Sequence, residues 1–155
     1  MVDYIEIAKC HLFQGVPHEA VGPVQALCSS REYQAGDTIF AEGEQANDVF
    51  ILGSGKVELS FTLPQHAKVT EVRITEVHPG EVFGWSALGV AQEWTARACA
   101  IHDSKVICLP GIELKKLMDA DARLGYPVLN YMLHLVATRL RDTRHQLRWL
   151  LGAGN

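Results

Sequence analysis

The sequence predicts a mainly β domain with flanking helices, a sandwich or barrel of short strands followed by a long C-terminal helix. Three observations predict it. Val57, Leu59, Phe61 and Leu63 alternate with Glu58, Ser60 and Thr62, the period-two pattern of a half-buried strand. Glycines at 36, 43, 53, 55, 80, 84 and 89 punctuate residues 31–109, as a set of short strands with tight turns requires. Near the C-terminus, Leu129, Leu133, Val136, Leu140, Thr143, Leu147 and Leu150 follow one another in alternating steps of 4 and 3.

The 155 residues suit one compact domain, and three zones divide it. Residues 1–30 read as short helices. Val21, Val24, Leu27 and Cys28 recur at helical spacing, and Gly15-Val16-Pro17 separates them from an earlier helical piece ending near Phe13. Residues 31–109 read as β, with Pro64-Gln65-His66-Ala67 a turn into a strand over Val69–Val77. Residues 111–151 read as helical. Glu113–Met118 opens this zone, and a longer helix starts near Pro127, a residue suited to a first helical position, and ends at Gly152.

The heptad row is narrow and only Thr143 in it is polar. Its flanks carry Arg139, Arg141, Asp142, Arg144 and Arg148, the pattern of an exposed helix that pairs with a second copy. The expectation is a homodimer through this helix. Packing of the same row on its own β domain is the alternative, and Trp149 and Leu151 break the polar flank at its end.

Composition excludes several classes. A formal net charge of −4 gives the chain no basic field for nucleic acid, so no DNA binding is expected of it alone. No apolar run reaches the ~18 residues of a membrane span, and the N-terminus lacks a signal peptide's charged start and apolar stretch. The expected location is cytoplasmic. Cys10, Cys28, Cys99 and Cys108 form no CxxC pair and read as reduced core thiols. His66, His78 and His102 stand isolated, without the HxH pair of a cupin-like metalloenzyme, and no nucleophile signature is present. A non-enzymatic domain without metal is expected.

Two stretches carry more. One is Gly36-Asp-Thr-Ile-Phe-Ala-Glu-Gly43 with Val49-Phe-Ile-Leu-Gly-Ser-Gly-Lys-Val57; the other is Pro79-Gly-Glu-Val-Phe-Gly-Trp-Ser-Ala-Leu88 with Thr95-Ala-Arg-Ala. In order and spacing they resemble the cyclic-nucleotide-binding domain of the catabolite-activator (Crp/Fnr-like) family, and Leu12–Pro17 is similar to that family's helical entry. The resemblance covers residues 12–150. It implies an antiparallel β-roll (a double-stranded β-helix, jelly-roll-like) ending in a dimerisation helix. It also implies a regulatory role in signal transduction or transcription, with cyclic AMP, cyclic GMP or another small ligand as effector.

By the same resemblance, Phe83, Gly84, Trp85, Ser86, Ala87 and Leu88 form a short helix whose N-terminal N–H groups face the phosphate. Trp94, Thr95 and Ala96 align with the family's Arg-Thr-Ala, and Thr143 lies where the long helix meets the base. The chain departs from the pattern twice. Trp85 stands at the position of the ribose-binding glutamate, and Trp94 at that of the phosphate-binding arginine. Losing the partner of a buried charge costs about 2–5 kcal/mol, or roughly 30- to several-thousand-fold in affinity. The resemblance with these departures implies weak or altered nucleotide binding. Arg97, an odd step from Trp94, falls on the opposite face of a strand, and Arg73 is expected to face solvent. The tryptophans either plug the pocket, leaving a structural dimerisation module, or form an aromatic platform for a different flat ligand. Thr143 is alternatively a polar residue that fixes helix register. The family's DNA-binding helix-turn-helix follows the long helix, and the residues up to Asn155 leave no room for one. The output is therefore expected from a partner, or the chain is a fragment.

Overall fold

The computed structural model describes residues 1–65 and 67–152. Three short helical pieces open it: α1 (Tyr4–Ala8), a 3-10 turn (His11–Phe13) and α2 (His18–Leu27). Asp3 caps α1 by accepting the Ile5 N–H at 3.2 Å. Eight strands follow among the described residues: β1 (Ser29–Tyr33), β2 (Thr38–Phe40), β3 (Asp48–Ser54), β4 (Val57–Gln65), β5 (Lys68–Val77), β6 (Val82–Phe83), β7 (Arg97–Ala100) and β8 (Ser104–Pro110). They make two four-stranded sheets, ordered β1-β8-β3-β6 and β2-β7-β4-β5, with every pairing antiparallel. The helices α3 (Gly111–Ala120) and α4 (Ala122–Gly152) close the chain. This is the β-roll with flanking helices and a long terminal helix.

Three boundaries differ from the sequence reading. The β zone begins at Ser29, because Ser29 and Ser30 pair with Cys108 and Ile107 of β8. Strand β4 continues through Pro64 and Gln65, which pair with Val69 and Lys68. Strand β7 borders β4 only as far as Ser60, so the missing N–H of Pro64 interrupts no second ladder. The remainder of the expected turn includes His66, which lies outside the described residues. Finally, α4 starts at Ala122, not near Pro127. The Asp121 carboxylate accepts the Arg123 N–H at 2.9 Å, and the Asp121 carbonyl accepts those of Leu124 and Gly125. Pro127 then sits inside the helix, where it removes one backbone bond near a well-capped end. Gly125 allows α4 to cross α3 here, since a side chain would press on the Met118 carbonyl.

The core lies between the sheets and under α4. Phe40, Phe50, Phe83 and Trp94 form its aromatic centre. On α4 two adjacent stripes separate cleanly. Leu124, Val128, Met132, Leu135 and Arg139 are buried against the chain's own domain. Leu129, Leu133, Val136 and Leu140, the first residues of the heptad row, are exposed. The buried Arg139 corrects its expected place on a solvated flank.

Candidate ligand-binding site

The site begins where β6 ends. Phe50 and Ile51 of β3 pair with Phe83 and Val82, which fixes the position of Gly84. Gly84 adopts φ 74, and a 3-10 turn (Trp85–Leu88) follows it. A Cβ on Gly84 would lie 2.7 Å from the Phe50 ring and 3.0 and 3.1 Å from Cζ3 and Cη2 of Trp94. The indole therefore rests directly on the glycine.

The backbone of Trp94 is pinned from the other side. Its N–H donates to the Glu44 carbonyl at 2.9 Å, and its carbonyl accepts the Gly43 N–H at 2.8 Å. This clamp turns the side chain inward, where the ring stacks on Phe40 with centroids 4.0 Å apart and planes 14° apart. Beside Gly84, Ser86 and Trp94 only about 30 Å³ of free space remains, on the scale of a single water. The turn is only four residues long and an indole covers its entry, the arrangement in which Trp94 fills the space over the glycine.

A larger cavity of about 370 Å³ adjoins this space, between the second sheet and α4. Leu59, Trp85, Thr95 and Ala96 border both. Phe61 and Ile74 complete the sheet side; Val136, Arg139, Leu140 and Thr143 form the helix side. Its size falls within the range of small-molecule sites, about 300–1,000 Å³.

The structure distributes the residues singled out from sequence unevenly. Phe83 is wholly buried in the aromatic centre, and Ala87 is buried beneath the start of α3, so neither lines a cavity. Gly84, Ser86 and Trp94 line the small space, Trp85, Thr95 and Ala96 both, and Thr143 the large one. Thr143 donates its hydroxyl to the Arg139 carbonyl at 2.9 Å, one turn back along α4. Arg97 points away, donating to Glu71 at 3.2 Å and to Thr38 at 3.1 Å. Arg73 is half exposed and pairs with Glu58 and Glu76. Neither arginine reaches the site.

Arg139 is the residue that the sequence reading missed. Its row on α4 runs Leu124, Val128, Met132, Leu135, Arg139, so a cation continues a buried apolar stripe. That second row, offset by one residue from the heptad, was the available signal. Arg139 is only 8% exposed. It donates to Thr75 Oγ1 at 3.2 Å, while the carboxylates of Glu81 and Asp142 stand off at 3.8 Å each. Burial holds its guanidinium below the usual arginine range, against the pull of those two carboxylates.

A β-roll with a ligand-sized cavity closed by a long terminal helix defines a regulatory ligand-binding domain. Comparison with known proteins identifies the family: the family model of the cyclic nucleotide-binding domain matches residues 30–121, and the chain belongs to that family. The chain is similar to a CRP-like cAMP-activated global transcriptional regulator of Mycobacterium tuberculosis, 26% identical over 94% of this chain and 62% of the relative. It is 32% identical to a cyclic AMP receptor protein of Thermus thermophilus over 88% of this chain and 60% of that one. The crystal structure of Thermus thermophilus catabolite activator protein superposes with a TM-score of 0.71 at 28% identity, covering 90% of this chain and 62% of that one. The chain thus spans about three fifths of the length of these relatives. No helix of the described residues is long and apolar enough to cross a membrane.

Proposed function

We propose that this domain is a non-enzymatic sensor, dimeric through α4, whose effector occupies the cavity between the second sheet and α4. Cyclic AMP and cyclic GMP are weak effectors or none. One observation carries this reading: the Trp94 ring rests on Gly84 and leaves about 30 Å³ where an anionic group would have to sit. A phosphodiester there would meet an apolar ring and no cation, which disfavours a buried charge by several kcal/mol. The larger cavity favours a sensor over a purely structural module, since the tryptophan fills one part of the site and leaves about 370 Å³ beside it.

The relatives' names include cyclic AMP activation and transcription. A transcription-related output is accordingly proposed here, with DNA contact made elsewhere than on residues 1–155, whose net charge is −4. Cavity and seam share Val136, Leu140 and Thr143, so an effector in the cavity would bias how two α4 helices meet. Calorimetric titration with both cyclic nucleotides tests the reading. A dissociation constant below about 10 μM for either would overturn it.

A further inference from the structure

We propose that the effector is a flat, largely apolar molecule bearing a single carboxylate, held by Arg139 of α4. This rests on the reading that the large cavity is the effector site, and it names the chemistry of the occupant.

The cavity presents one cation and otherwise mainly apolar walls: Leu59, Phe61, Ile74, Trp85, Val136 and Leu140. A buried arginine normally fills its planar fork with a carboxylate in two parallel hydrogen bonds. Arg139 does not. Its Nε has no hydrogen-bond partner, and both neighbouring carboxylates remain beyond hydrogen-bond distance at 3.8 Å. A buried donor without an acceptor is costly, and such a group persists where something else supplies the acceptor. Arg139 lines the cavity, and a carboxylate there would supply the acceptor once the guanidinium turns toward it.

The number of charges selects a monoanion. Glu81 and Asp142 face the guanidinium at 3.8 Å and are each about one third exposed. With both turned to water, one guanidinium balances one negative charge, and a doubly charged phosphate monoester would leave an excess charge among apolar side chains. The walls select the body of the molecule. Trp85 and Phe61 offer aromatic surface, and besides the Trp85 indole N–H the lining adds only the hydroxyls of Thr95 and Thr143 among the described residues. The Thr143 hydroxyl is already directed to a helix carbonyl. A nucleoside, with its ring nitrogens and ribose hydroxyls, would leave many polar groups unpaired here. An arylcarboxylate would not. The arrangement also places the ligand's charge on α4 and not on the sheet.

The test compares 1-naphthoate with its neutral isostere 1-naphthamide on the intact protein, following tryptophan fluorescence and calorimetry. Saturable binding of the carboxylate, about ten-fold or more tighter than that of the amide, is expected. Arg139→Gln should abolish the preference for the acid, and Arg139→Lys should keep part of it; circular dichroism confirms that each variant folds. Equal affinity of acid and amide, or an acid preference that survives Arg139→Gln, overturns the inference while leaving the cavity as a site. Binding of neither probe at about 1 mM overturns the inference and the cavity reading together.

Discussion

The indole of Trp94 lies almost parallel to the ring of Phe40, 4.0 Å centroid to centroid, and its outer edge covers Gly84. The same side chain therefore extends the aromatic core and closes the space over the turn. Opening that space has a structural cost as well as a binding effect.

The Trp94→Arg, Trp85→Glu double variant should bind cyclic AMP at least about 30-fold more tightly than the wild type, because it supplies a cation and a partner for a hydroxyl. It should also melt lower, since Trp94 is 5% exposed and its stacking on Phe40 and its tilted contact with Phe50 are lost. Trp94→Ala alone should lose about 3–5 kcal/mol of stability and gain no such affinity. Calorimetry and urea unfolding measure the two effects separately. Nucleotide affinity gained by Trp94→Ala alone would show that bulk, not missing charge, limits binding.

Much of this was legible in the sequence, and the parts that were not have identifiable reasons. Alternation over Val57–Leu63 located β4, with Val57 and Leu59 buried as expected, whereas a register shift between Leu59 and Ser60 also buries Ser60 and leaves Phe61 half-buried. The heptad from Leu129 located the exposed stripe of α4; Arg97 lies outside the site as expected, but strand parity is not the reason, since β7 begins only at Arg97. The start of α4 was misjudged because Pro127 is a familiar first-turn residue, whereas Asp121 caps the helix earlier. Arg139 was misjudged because sequence charge was read as solvent exposure. A long cationic side chain can run under a helix into a cavity, and only its place on the Leu124–Leu135 row marks it.

The exposed stripe of α4 makes a definite claim about assembly. Leu129 and Leu133 are 59% and 71% exposed, yet they continue the apolar heptad. A dimer at tens of micromolar is expected by light scattering. Leu133→Glu should give a monomer, and it is preferable to a change at Leu140, which also lines the cavity. A wild-type monomer under these conditions would remove the seam from the proposed function.

Three thiols set an alkaline limit on stability. Burial pushes Cys10 and Cys108 up to about 11 and Cys28 up to about 12, from an ordinary value of 9.0. In the unfolded chain they ionise near 9.0, while in the fold they remain protonated. Their contribution is complete below about pH 9 and is lost as the pH rises through the folded values. The melting temperature should fall between about pH 9 and 11, and Cys108→Ala should fall less steeply than the wild type. The same burial predicts slow reaction with thiol reagents at neutral pH, where the thiolate is scarce. Rapid labelling of Cys10 or Cys108 in the folded protein would contradict this.

Arg139 should be worth little to the stability of the ligand-free domain. Among the described residues its one side-chain hydrogen bond is to Thr75, and its Nε is unpartnered. The two carboxylates near it, Glu81 and Asp142, are each about one third exposed and can return to water when it is removed. Removing one partner of a buried pair is costly when the other charge stays buried; here both carboxylates reach water, so an apolar side chain of similar reach should cost little. Arg139→Met should therefore melt within about 2 °C of the wild type or above it, a shift of about 0.5–1 kcal/mol for a domain of this size. A buried ion pair that held α4 to the sheet would behave oppositely, and its loss would cost about 3–5 kcal/mol. Thermal melts of the two proteins separate these cases. A stable Arg139→Met variant would leave the retention of a buried cation without a structural reason, and would point to a ligand.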